Sequence, residues 1–137
     1  MAWSMRDNVE GLGLRPVVVA STDETLRSVA RTLWLEDVGA VVVKDGDRPV
    51  GILTERDLVR CAAHGEDLDS VRVGDAMTTN LIAVRPQDTV QDAAYQMLGS
   101  GIRHLPMEDE TGRLLGMISI RDLLRPWMAG HAQDPPG

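Results

Sequence analysis

Along this chain, short unbroken apolar runs alternate with helical apolar stripes, and the whole alternation occurs twice. Pro16-Val-Val-Val-Ala20 is a β-branched run that stops before a polar cluster, as a short strand does. Leu26, Val29, Ala30, Leu33 and Trp34 then fall at i, i+3, i+4, i+7 and i+8, one apolar face of a helix, with Thr25 at the N-cap. Val38-Gly-Ala-Val-Val-Val43 and Pro49-Val-Gly-Ile-Leu53 read as the arms of a hairpin, and a second helix starts at Thr54. The order returns with Leu81-Ile-Ala-Val84. It continues through a helix behind Thr89 (Val90, Ala93, Ala94, Met97, Leu98), Ile102–Met107, Leu114–Ile118 and a helix from Ser119.

The letters repeat as well as the pattern. Gly51-Ile-Leu-Thr-Glu-Arg-Asp-Leu-Val-Arg60 reappears 65 residues on as Gly116-Met-Ile-Ser-Ile-Arg-Asp-Leu-Leu-Arg125. Thr25–Trp34 aligns with Thr89–Leu98 at a shift of 64, and one extra residue in the turn Asp109-Glu-Thr-Gly112, against Asp45-Gly-Asp47, accounts for the change. Chance does not hold register across five elements. A single unit of about 50 residues is marginal alone. The expected fold is therefore α+β: two β-α-β-β-α repeats about an internal pseudo-two-fold axis, burying one common core. The expected boundaries are a lead-in at 1–15, repeat 1 at 16–63, a connector with a short helix at 64–79, repeat 2 at 80–129 and a disordered tail at 130–137.

Composition narrows the function. A net charge of −7 argues against nucleic acid or an anionic membrane as partner. With no Phe, one Tyr and three Trp, the core must be aliphatic and no platform for stacking bases is evident. A single cysteine allows no internal disulfide and suits a reducing compartment. Met1–Asp7 lacks the apolar core of a secretion signal, and no apolar run approaches the roughly 18 residues of a membrane span. A cytoplasmic protein is expected. His64, His104 and His131 have no metal-ligand spacing, and Cys61, read as following the second helix, is taken as a structural thiol. Gly99 and Gly101 read as C-cap and turn residues. With no catalytic triad and no Walker loop, no enzymatic activity is expected.

Two readings apply to Thr54-Glu-Arg-Asp57 and Ser119-Ile-Arg-Asp122. One is a capping box with Asp in the place of Glu or Gln, worth about 1 kcal/mol. The other is a ligand site. An ionised Asp is acceptor-only and suits a vicinal diol, a helix N-terminus favours anions, and a guanidinium can bind phosphate bidentately. Capping accounts for either tetrad alone but requires no arginine, yet Arg56 recurs as Arg121 while Glu55 drifts to Ile120. The two roles can coexist.

The tandem unit ending in Gly-x-x-[Thr/Ser]-x-x-Asp resembles the cystathionine-β-synthase (CBS) domain pair, or Bateman module, from about Pro16 to Met128. The second copy is the fuller match, with Val84-x-Pro86-x-x-Thr89, Gly101-Ile-Arg-His-Leu-Pro106 and Gly116–Asp122, and Val73-Gly-Asp-Ala-Met77 resembles the helical entry to a repeat. The first copy has Val42 where proline is expected and only a loose lead-in at Met5-Arg-Asp-Asn-Val9.

The resemblance implies an adenosine-type ligand (AMP, ADP or ATP, with NAD and S-adenosylmethionine in the same set) held in clefts between the repeats. It implies no required cofactor, a disc-like homodimer and a regulated protein partner. Carried over by position, Asp57 and Asp122 would accept from the ribose hydroxyls, Thr54 and Ser119 would bind ribose or phosphate, and Arg56 and Arg121 would reach phosphate. Backbone and apolar atoms near Ile82, Ile102, His104 and Pro106 would line the adenine slot, with Val18, Val38 and Ala40 as first-copy counterparts, and Arg103 is counted among the nucleotide-binding residues. The expected function is a regulatory adenine-nucleotide-binding module acting on a partner protein. The alternative is a ligand-free dimerisation or protein-interaction module.

Overall fold

The computed structural model describes residues 4–79 and 81–129 and divides into two units. The first, Val17–Leu81, carries β1 (Val19–Ser21), α1 (Leu26–Glu36), β2 (Ala40–Asp45), β3 (Arg48–Thr54), α2 (Glu55–Ala63) and the one-turn α3 (Val73–Ala76). The second takes the described residues on either side: a 3₁₀ turn (Val9–Leu12), α4 (Val90–Ser100), β4 (His104–Glu108), β5 (Leu114–Ser119) and α5 (Ile120–Ala129). Both are α+β, and from α1 and α4 onward the two repeats follow the same order. The tail expected at 130–137 lies outside the described residues.

The helices begin where the sequence places them. Thr25 Oγ1 accepts the Ser28 N–H at 3.2 Å, and Thr89 forms a full capping box with Asp92. Leu26, Val29 and Leu33 are buried as expected, but Trp34 is 85% exposed and its counterpart Leu98 is 75% exposed. Each stands one residue, about 100° of helix rotation, beyond the centre of the stripe, so the apolar face is narrower than the periodicity implies. Gly99 proves to lie within the last turn of α4, with Gly101 as the left-handed C-cap at φ 70°. Cys61 is inside α2 and buried, not beyond it. Trp127 is half-buried against the second core, and α5 runs through Pro126.

The sheets differ between copies for a reason one residue explains. In the first unit β1 runs parallel to β2, which pairs antiparallel with β3. The Val42 N–H donates to the Val18 carbonyl at 2.9 Å and so extends the parallel ladder beyond β1. In the second unit the position of Val42 is held by Pro106, which has no N–H to give Ile82. The expected strand Leu81–Val84 is accordingly reduced to a single parallel bridge between Val84 and Met107 beside the β4–β5 hairpin.

Each unit has its own core cluster, and each cluster is completed by a lead-in segment. In the first, Val73 joins Leu26, Val29, Val41, Val43 and Leu53, with Ala76 and Met77 at its edge. In the second, Val9 joins Val84, Val90, Leu105, Met107 and Ile118, with Leu12 at its edge. The N-terminal lead-in thus serves the second repeat, and the connector serves the first. The backbone bonds match at a shift of 64. The Val73 N–H donates to the Glu24 carbonyl and the Val9 N–H to that of Asp88, both at 2.8 Å. The first-turn N–H groups of α1 and α4, Leu26 and Val90, donate to the Val71 and Asp7 carbonyls at 3.0 and 2.9 Å. These are donors a helix leaves orphaned.

Candidate functional site

The end of β3 and the start of α2 place Thr54, Arg56 and Asp57 on one turn, and β5 and α5 do the same for Ser119, Arg121 and Asp122. Sheet register sets Ala40 opposite Thr54 and His104 opposite Ser119, so strand and helix candidates converge within each unit. Ala40 and Pro106 are buried; Val18, Val38, Ile82, Ile102 and His104 are half-buried. Arg103 is exposed, and its carbonyl accepts the Ile120 N–H at 2.9 Å, as the Gly39 carbonyl accepts that of Glu55 at 3.0 Å.

Both tetrads are true capping boxes. The Thr54 N–H and Oγ1–H donate to Asp57 Oδ2 at 2.9 and 3.1 Å, and the Asp57 N–H returns to Thr54 Oγ1 at 3.2 Å. Ser119 and Asp122 reproduce the same three bonds at 2.8, 3.2 and 3.4 Å. Together with the bonds from Glu55 and Ile120, three of the first four N–H groups of each helix are already taken. The aspartates are only 6% and 2% exposed, whereas Arg56 and Arg121 are exposed and have no hydrogen-bond or ion-pair partner among the described residues.

The second oxygen of each aspartate faces a different arginine. Arg60 Nη1 donates to Asp57 Oδ1 at 2.9 Å, while its Nη2 donates to the Ala76 carbonyl of the connector at 3.4 Å. This hydrogen bond and the charge of Asp57 hold the Arg60 guanidinium above its ordinary pKa. Asp122 Oδ1 accepts from Arg15 Nε at 3.4 Å and has Arg125 Nη1 at 3.2 Å as an ion pair. Sequence reasoning passed over all three arginines. Arg60 and Arg125 left a signal, the identical last residue of the repeated stretch, one helical turn from the aspartate. Arg15 left none, because its partner is 107 residues away.

No group of three or more His, Cys, Asp or Glu among the described residues is placed to hold a metal ion, and no described helix is long and apolar enough to cross a membrane. The Glu66 side chain, hydrogen-bonded to Cys61, and burial both push that thiol's pKa upward, favouring the thiol over the thiolate.

Comparison with known proteins follows the same two-copy division. The model of the CBS domain matches twice, over residues 9–64 and 73–127. The CBS-domain protein ATU1752 of Agrobacterium tumefaciens is 36% identical, with a TM-score of 0.82 over 93% of this chain and 98% of its own. The CBS-domain protein PAE2072 of Pyrobaculum aerophilum, solved in complex with AMP, is 34% identical, with a TM-score of 0.76 over 85% of this chain and 89% of its own. Protein MK0525 of Methanopyrus kandleri is 36% identical over 113 residues, 81% of this chain; the chain spans 58% of that relative's length. With both repeats matched by the family model and the same α+β units in its fold, the chain belongs to the CBS-domain family as a CBS pair.

Proposed function

We propose that this CBS pair is a non-catalytic regulatory module that binds an adenine nucleotide and passes its occupancy to a partner protein in the cytoplasm. The observation that carries the reading is the twice-built turn in which a nearly buried aspartate stands beside an exposed arginine with no partner among the described residues. Asp57 and Asp122 supply acceptors for a ribose diol, and Arg56 and Arg121 supply guanidinium for phosphate. The AMP held by PAE2072 supports an adenosine-type ligand. The backbone favours the second copy for adenine. The Val18 carbonyl is committed to the Val42 N–H, whereas proline at 106 leaves the Ile82 carbonyl clear of that bond and able to accept from an adenine amino group.

Mass spectrometry of small molecules released from purified, denatured protein tests this directly. Thermal shift against AMP, ADP, ATP, NAD and S-adenosylmethionine complements it, since a ligand at 100 times its Kd stabilises the fold by about 2.7 kcal/mol. No released nucleotide and no response to any of the five would reject the reading.

A second reading, an interaction module that works without ligand, rests on matched apolar exposure. Trp34 and Leu98 are counterparts on α1 and α4, Val59 and Leu124 on α2 and α5, and all four face solvent. Such surface suits a homodimer contact. It is compatible with ligand binding, so dimerisation forms part of the proposal.

A further inference from the structure

The arginines that face Asp57 and Asp122 do more than neutralise them. An ionised carboxylate has about four acceptor positions, two per oxygen. Oδ2 of each aspartate already accepts both the N–H and the hydroxyl of its capping partner, so it is full. A vicinal diol that donates both of its hydroxyls must therefore take both positions of Oδ1, one of which an arginine already holds. That oxygen is held by Arg60 in one unit, and by Arg15 with Arg125 beside it in the other.

Each of these contacts also fastens a lead-in segment. Arg60 reaches from Asp57 to the Ala76 carbonyl, at the end of the α3 turn that brings Val73 into the first core. Arg15 belongs to the N-terminal lead-in itself, where its backbone pairs with Met117 two residues before Ser119. Two unrelated arginines at different positions thus make the same link, from capping aspartate to lead-in. Arg60 also has somewhere to go. It lines a cavity of about 500 Å³ whose wall carries the carboxylates of Glu66 and Asp75 together with His64.

We propose that Arg60 and Arg15 are built-in competitors of the ligand: a diol takes both acceptor positions of Oδ1 of Asp57 or Asp122 only by displacing the arginine, and so loosens the lead-in that the arginine holds. Ligand occupancy is thereby converted into release of the connector in one unit and of the N-terminal segment in the other. This rests on the adenosine-ligand reading above and supplies its output. The ligand need only bind better to the unfastened state than to the fastened one for populations to shift.

The test uses the full chain, with adenosine as a diol lacking phosphate and 2′-deoxyadenosine as the same base without the diol. Arg60→Gln and Arg15→Gln each remove a half-exposed ion pair, and calorimetry should show adenosine binding about two- to five-fold more tightly to at least one of them. The deoxynucleoside should show no such gain. Arg60→Lys, which keeps the charge but not the two-pronged contact, should fall between wild type and Arg60→Gln, and it serves if the glutamine variant is unstable. In the wild-type protein, adenosine should speed amide exchange in peptides covering 70–79 or 8–17. If adenosine binds wild type and both glutamine variants equally, or the variants more weakly, the competition is wrong and the ligand reading stands. If adenosine, AMP and the rest of the nucleotide panel bind none of the proteins, the ligand reading falls and the competition falls with it.

Discussion

Gly51 packs so closely beneath the Thr78 carbonyl that a Cβ at Gly51 would lie 2.6 Å from that oxygen. Gly116 stands in the same relation to the other lead-in, where a Cβ would meet Leu14 Cβ at 2.7 Å and the Arg15 carbonyl oxygen at 2.8 Å. Behind both glycines runs an antiparallel bridge, Ile52 with Thr78 and Met117 with Arg15, that lays the lead-in along the hairpin. The glycine of the repeated motif is thus a spacing requirement of the sheet edge. Gly51→Ala and Gly116→Ala should each destabilise the fold by about 1–3 kcal/mol, the usual cost of overpacking against backbone. Urea denaturation measures this, and midpoints equal to wild type would show that the lead-ins are not held against the sheets.

The assignment of each lead-in to a particular core makes a spatially resolved prediction. Val9 and Val73 are fully buried, in different clusters. Val9→Ala and Val73→Ala should each cost about 1.5–3 kcal/mol, the scale of burying one such side chain. Hydrogen exchange should separate them. Val9→Ala is expected to loosen the amides of β4 and β5, and Val73→Ala those of β2 and β3. The reverse pattern would overturn the crossed arrangement.

That arrangement marks the limit of what the sequence made legible. Local rules placed the helices, their Thr caps and both hairpins, because capping and periodicity act over four or eight residues. They also exposed the repeat, and with it Thr54/Asp57 and Ser119/Asp122. They could not tell which repeat a lead-in would join, since the bond from the Val9 N–H to the Asp88 carbonyl spans most of the chain. Nor did they find Arg15, for the same reason. Trp34 was misplaced because an i+8 position satisfies the template while standing at the edge of the face. Val42 departs from the family pattern in the sequence itself, but its consequence shows only in the ladder: it adds the N–H that Pro106 lacks.

The two aspartates should not contribute equally to ligand affinity. Each substitution Asp57→Ala or Asp122→Ala removes half of a capping box, worth about 1 kcal/mol of stability, so melting and binding must be measured together. Loss of a charged acceptor for the diol should weaken AMP binding by about ten- to a hundred-fold, from the 1.5–3 kcal/mol typical of such bonds. Asp122→Ala is expected to cost more, because the second copy matches the family pattern more fully and leaves the Ile82 carbonyl clear of the bond that occupies that of Val18. Equal losses would remove the ranking, and unchanged affinity in the double variant would reject both ribose assignments.

Trp34 offers the sharpest test of self-association. A tryptophan 85% exposed on a helix of a folded unit is unusual, and aromatic anchors of this kind tend to dominate the interfaces they enter. Its repeat counterpart Leu98 is apolar and exposed too, so the feature belongs to the repeated pattern and not to one drifting position. Trp34→Glu should leave the stability of the folded unit within about 0.5 kcal/mol of wild type, because the side chain fills no core space. The dimer constant should weaken by about 30-fold or more, the equivalent of a 2 kcal/mol anchor. Sedimentation velocity across a concentration series reads both states. If wild type stays monomeric throughout, or the variant associates as strongly, this surface does not join two copies of the chain.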